Sequence, residues 1–161
     1  MAQTPKLQGA KPQGARFKGA GAQNDFRLAV ADSSVVMLGI AVLGLGLGII
    51  LNAHGLPIWT APLLSALVFA GSVEFLMVGM VSAGTPLASI ALTVFLVNAR
   101  HLVYGLSYPL HSVKGFWAKA LAIHTLCDEA FALNSGPGRN ERSGARILWV
   151  NVLIYVSWVL S

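Results

Sequence analysis

A carboxylate, an amide, a guanidinium and an imidazole interrupt two stretches of the chain that are otherwise hydrocarbon. Glu74 falls inside the apolar run 61–81, and Asn98, Arg100 and His101 fall inside the next, 87–106. A charged side chain at the centre of a membrane helix costs on the order of 2.5–3.5 kcal/mol, and such residues persist when they pair, face a cavity or handle a substrate. A carboxylate can hold an ammonium, a guanidinium can hold a carboxylate through its planar fork, and apolar walls suit an aliphatic side chain. The set points to a site for a small zwitterion. The plainer alternative is a Glu74–Arg100 ion pair that joins two helices, and the residues alone leave both open. A buried carboxylate at Glu74 can also exchange a proton, which would couple transport to a proton gradient.

Helical spacing sorts these residues. Asn98, His101 and Gly105 share one face, and Gly71, Glu74 and Val78 share another. Gly71 and Ser72 are expected to let the backbone approach a ligand closely. If the two runs form a hairpin about Gly84 and Thr85, Arg100 lies roughly 7–8 Å deeper than Glu74 at 1.5 Å per residue. Further on, His124 and Asp128 stand four apart with Glu129 adjacent. The latter two are candidates for a gate. A metal at this point would need a further ligand that the face lacks, so no metal or cofactor is expected. No phosphate-binding loop, dinucleotide fingerprint or catalytic triad pattern is present, so an enzyme is not expected.

The elements that must hold these residues are apolar. Of 161 residues, 55% are hydrophobic and 11% charged, against about 25% charged in soluble domains. Mean hydropathy is +0.68. The expected fold is an all-α, polytopic transmembrane helical protein with about 4–5 membrane segments, at 35–51, 61–81, 87–106, 116–133 and 147–160. The last run is short for a span. Thr85 is placed to cap the third segment with Pro86 at its first turn. Tyr108, Trp59, Trp117 and Trp149 fall near the expected membrane surfaces. Residues 1–27, rich in Gly, Ala, Gln, Lys and Pro, are expected to form a disordered tail, leaving 28–161 as the membrane domain.

The net charge of +5 is loop charge rather than a nucleic-acid footprint. The tail holds five basic residues, and Arg139, Arg142 and Arg146 hold three more between the last two segments. If every segment crosses, those eight lie on one side, and the excess of Lys and Arg makes that side cytoplasmic. The single cysteine, Cys127, forms no internal disulfide.

The run Pro62-Leu-Leu-Ser-Ala-Leu-Val-Phe-Ala-Gly-Ser-Val-Glu74-Phe, the run Leu-Thr-Val-Phe-Leu-Val-Asn98-Ala-Arg100-His101-Leu-Val-Tyr104-Gly105 and the stretch Thr125-Leu-Cys-Asp128-Glu129-Ala-Phe resemble the AzlC-type branched-chain amino acid permease family. The resemblance covers the chain from about Gly44 onward. It implies a bacterial inner-membrane exporter of valine, leucine and isoleucine, acting with a small AzlD-type membrane subunit. On that reading Glu74, Asn98, Arg100 and His101 serve substrate binding or coupling. Two departures stand out: Gln is common in the family where this chain has Glu74, and family members carry more helices beyond the position of Ser161. The rival expectations are a truncated product that inserts without transporting, or a helical interaction subunit. A small channel and an intramembrane metalloenzyme are further rivals.

Overall fold

The computed structural model describes residues 19–138 and 142–161, with side chains from Gly21 onward. Among the described residues the chain is helical and without strands. The helices are α1 (Gly19–Ala53), α2 (Thr60–Val68), α3 (Gly71–Ser82), α4 (Leu87–Asn98), α5 (Arg100–Ser107), α6 (Phe116–His124), α7 (Asp128–Ser135) and α8 (Gly144–Leu160).

The spine of the molecule is the pair α1 and α8, which pack more extensively than any other two helices. Apolar residues at helical spacing make the contact: Ile40, Leu47 and Leu51 on one side, Ile147, Val150, Ile154 and Trp158 on the other. The two helices run parallel. Phe26 meets Trp149 edge to face at 5.0 Å, and much further along both helices Gly44 lies against Ser161. Near the start of the pair, Asp32 accepts from Arg142 at 2.9 Å and from Arg146 at 2.6 Å, tying α1 to the entry of α8. Ser143 caps α8 through the Arg146 N–H.

The helix α1 begins at Gly19, inside the stretch expected to be unstructured, so the boundary at residue 27 is too late. The helical residues there, Asp25 and Arg27 among them, extend a long apolar helix past the roughly 20 residues that a span requires. The expected disorder of residues 1–18 falls outside the described residues.

The larger correction concerns continuity. The second, third and fourth apolar segments each read as one helix, yet each is broken near its middle. The first break is at Phe69 and Ala70 and the third at 125–127. The second, at Ala99, is milder: Ala99 keeps helical torsions, and the hydrogen bonds around it only tighten to three-residue spacing, from Ala99 to Leu96 and from Leu102 to Ala99. Phe69 adopts φ +42°, a left-handed conformation that a bulky residue enters only when its surroundings impose it. At the α3–α4 turn Gly84 takes φ +66°, and Pro86, rather than Thr85, occupies the N-cap of α4 without a side-chain cap. Two stretches, Gly21–Ala53 and Leu87–Ser107, are long and apolar enough to cross a membrane on their own.

Beneath the breaks lies a buried polar network. Tyr108 donates to Asn151 Oδ1 at 2.8 Å, and Asn134 donates to the same oxygen at 2.9 Å and to Tyr108 at 3.1 Å. Asn151 in turn donates to the Ala122 carbonyl at 2.9 Å. Tyr108 is thus a core residue and not the surface belt residue its position suggested, whereas Trp59 and Trp117 are exposed. The network joins the end of α5 to α6, α7 and α8, because a buried amide or hydroxyl without a partner is costly.

Candidate functional site

The three breaks converge. Ala70, Gly71 and Ser72 at the start of α3, Arg100 and His101 at the start of α5, and Cys127, Asp128 and Glu129 at the start of α7 line one cavity of about 280 Å³. Each of these helices begins without a side-chain cap at its N-cap residue. A helix N-terminus presents unpaired N–H groups and a partial positive charge. The remaining wall is apolar: Ile40 and Leu43 from α1, Phe69, Phe75, and Ile154 and Trp158 from α8.

Arg100 is the hub of the polar side. Its guanidinium pairs with Asp128 at 2.5 Å and donates to the Ser72 hydroxyl at 3.1 Å, so one side chain links α3, α5 and α7. Asp128 accepts a second bond from the Tyr104 hydroxyl at 2.7 Å, and the Tyr104 ring stacks on Phe131 at 4.2 Å. The pair is not sealed: the side chains are 34% and 42% exposed. Arg100 Nε and Asn98 Oδ1 have no hydrogen-bond partner among the described residues.

His101 spans the second and third breaks. Nδ1 lies 3.1 Å from the Asn98 carbonyl and Nε2 lies 3.2 Å from the Leu126 carbonyl. Carbonyls only accept, and a neutral imidazole has one N–H to give, so the two bonds coexist only in the doubly protonated ring.

Glu74 has a different setting from the one its spacing suggested. It is fully buried and does not line the cavity. Among the described residues its carboxylate makes no ion pair with Arg100 or any other base. Three neutral donors hold it instead: the Ser65 hydroxyl at 2.7 Å, the Ala70 backbone N–H at 3.0 Å, and the Trp158 indole N–H at 3.1 and 3.2 Å from its two oxygens. An unbroken helix would set Ser65 and Glu74 roughly 13 Å apart along its axis. Their direct bond measures how sharply the chain turns at the first break. The ion pair that holds helices together therefore exists, but its acid is Asp128.

Of the eight residues singled out in the sequence, six reach the cavity: Gly71, Ser72, Arg100, His101, Asp128 and Glu129. Asn98 stands at the end of α4 and contributes its carbonyl to His101. His124 and Asp128 do not act together, since the third break separates them and His124 reaches the Ala66 carbonyl at 3.2 Å. Among the described residues no three His, Cys, Asp or Glu groups cluster as metal ligands. The sequence reading missed Trp158, Ser65 and Tyr104. Nothing in the local pattern marks Trp158, because its role depends on a chain crossing from 84 residues away.

An all-α membrane protein with a small cavity where broken helices meet is the class that this fold and site define. The chain belongs to the AzlC family: residues 35–161 match the family model described as AzlC protein. It is 33% identical over 138 residues to the branched-chain amino acid transport protein AzlC of Bacillus subtilis, covering 83% of this chain and 54% of that protein. It is also 33% identical over 135 residues to an uncharacterized membrane protein of Haemophilus influenzae, covering 79% of this chain and 54% of that one. A membrane protein of Helicobacter pylori, also uncharacterized, is 31% identical over 108 residues, covering 67% of this chain and 47% of that one. The chain thus spans about half the length of the curated relatives it matches. No solved structure matches it.

Proposed function

We propose that the chain is the substrate-binding part of a carrier for branched-chain amino acids. The convergence of three half-helix N-termini on one cavity that carries both a guanidinium and a carboxylate supports this reading. Discontinuous helices facing each other at membrane depth are how transporters expose backbone N–H groups to an anionic substrate group. A zwitterion fits by splitting the Arg100–Asp128 pair. Its carboxylate takes Arg100 and the Ser72 end of α3, its ammonium takes Asp128 with Glu129 nearby, and its side chain meets the apolar wall. The internal pair then stands in for the zwitterion when the site is empty, so binding exchanges one neutral arrangement for another. A lone anion or cation would leave one of the two charges at the cavity wall without a partner, which makes it the poorer ligand. The cavity volume, at the low end for ligand sites, suits a single small solute.

The parallel course of α1 and α8 supports a five-crossing arrangement. The chain between two parallel spans must cross an odd number of times. The stretches 60–82, 87–107 and 116–135 supply three crossings of about 20 residues each. The basic N-terminal segment and the connection between α7 and α8 then share the cytoplasmic side. A relative named for branched-chain amino acid transport supports the substrate class. Export from the bacterial cytoplasm, and action with a small AzlD-type subunit, complete the proposal.

Labelled leucine bound to the chain in liposomes tests the site. Unlabelled leucine and valine should compete. Isocaproate, which lacks the ammonium, and isoamylamine, which lacks the carboxylate, should not. Equal competition by either single ion sinks the zwitterion reading. Efflux of leucine from preloaded vesicles, with and without the small subunit, tests direction and partnership. A reporter fused after Gly138 should be active only in its cytoplasmic form, and periplasmic activity there would refute the proposed orientation.

A further inference from the structure

The apolar wall of the cavity contains one side chain that is fixed by hydrogen bonds. Trp158 faces the cavity and is 6% exposed. Its indole N–H is directed at both oxygens of the fully buried Glu74. Its ring also passes across Gly71, where an added Cβ would sit 3.3 Å from Cζ2, tighter than ordinary contact. Phe75 meets the indole edge to face at 6.4 Å. The indole is therefore held at its N–H, on its flank and at its edge. Leucine, isoleucine and phenylalanine side chains of the wall can change rotamer by sliding, but moving this ring breaks a bond to a fully buried acceptor, where that bond counts most.

We propose that Trp158 is the specificity-determining residue for the substrate side chain, setting the upper size that the cavity admits, and that Glu74 is its positioning residue. This rests on the amino acid site proposed above. It also gives Glu74 a role without contact to substrate. The carboxylate does not reach the cavity, yet it fixes the wall that does.

The geometry says which replacement keeps the device. Oε1 accepts from both Ala70 and Trp158, while Oε2 faces the Ser65 hydroxyl and the indole. In Glu74→Gln the remaining oxygen takes the Oε1 place and keeps its two donors, the amide NH2 donates to Ser65, whose hydroxyl turns to accept, and the indole gives up only its longer contact to the Oε2 place. Glutamine preserves the anchor and methionine removes it.

Competition of leucine and phenylalanine for labelled leucine, in liposomes carrying each variant, tests the proposal. The wild-type chain should prefer leucine. Trp158→Leu should shift the leucine-to-phenylalanine ratio toward phenylalanine by about tenfold or more, the scale of size discrimination in an apolar pocket. Glu74→Met should shift it in the same direction, and Glu74→Gln should leave it at the wild-type value. A ratio unchanged in Trp158→Leu overturns the role of the indole. A shift in Trp158→Leu with none in Glu74→Met, or an equal shift in Glu74→Gln, overturns the positioning role. If Glu74→Met does not accumulate, Trp158→Phe takes its place, since it keeps a ring on the wall but cannot donate to Glu74: the ratio should shift toward phenylalanine, and an unmoved ratio overturns the positioning role. A wild-type chain that binds neither amino acid refutes the site itself, a result distinct from an unmoved ratio.

Discussion

Glu74 and Arg100 are both ionisable groups inside apolar segments, and the molecule treats them in opposite ways. Around Glu74 every donor is neutral, the enclosure is complete, and the partners come from α2, the first break and α8. Around Arg100 the partner is an opposite charge, the side chains are one third or more exposed, and a nitrogen is left over. A carboxyl group surrounded by fixed dipoles is part of the framework, because nothing nearby can leave without stranding a buried polar group. A charge paired with another charge at a cavity wall is exchangeable, because a ligand with the same two charges can take over both halves. On the proposed function, the contrast separates the part that shapes the site from the part that works in it.

The strongest way to break that contrast is Glu74→Leu. It leaves the Ser65 hydroxyl, the Ala70 N–H and the Trp158 N–H without their acceptor, at about 1–3 kcal/mol for each donor left unpaired. The expected outcome is a large drop in thermal stability and in accumulated protein. A melting temperature near that of the wild type would mean that the first break is held by something else.

Arg100→Leu comes next and should act on binding rather than on folding. Leucine affinity should fall on the order of a hundredfold, the scale for truncating one partner of a hydrogen-bonded charge pair. The stability change should stay near the 0–1 kcal/mol typical of solvent-screened pairs, given the exposure of both side chains. Arg100→Lys should bind more weakly than wild type but better than Arg100→Leu, since an ammonium lacks the planar fork. If Arg100→Leu fails to fold and Arg100→Leu/Asp128→Leu restores folding without altering leucine binding, the pair belongs to the framework after all.

A smaller effect is expected from Gly71→Ala. The new methyl group would press on the Trp158 ring at 3.3 Å, so the ring must yield by a few tenths of an ångström. Leucine affinity should fall by a few fold, on the order of 1 kcal/mol, with the break itself intact. The smallest effect is expected from Glu74→Gln, within about 1 kcal/mol in stability, the net worth of an ordinary hydrogen bond. A leucine titration of Gly71→Ala and a calorimetric melt of Glu74→Gln check the two. A severe loss in Glu74→Gln would show that the negative charge, and not the acceptor oxygen, holds the break.

Much of the molecule was legible in the residues. Apolar runs of about 20 residues specify helices in a membrane, because a backbone without water must satisfy itself. Of the polar interruptions, Arg100, His101, Asp128 and Glu129 lie on the cavity wall, whereas Glu74 and Asn98 do not; the cost of charge in an apolar run marks such residues without saying where they face. What the residues left open was continuity. An apolar run reads the same whether or not its helix is broken, and neither Phe69 nor Ala99 announces a break by its type. Phe69 carries its left-handed backbone only because the packed neighbours require it.

Partner choice was the other open matter. The order of residues along the chain placed Glu74 and Arg100 within reach of each other on two adjacent helices. It could not say that α7 and α8 would supply the partners instead, bringing Asp128 to Arg100 and Trp158 to Glu74. Helix type, charge inventory and depth are one-dimensional quantities, fixed by hydropathy and spacing. Which charge meets which donor depends on how helices far apart in sequence pack, so only the tertiary structure decided that Arg100 faces the cavity and Glu74 the interior behind it.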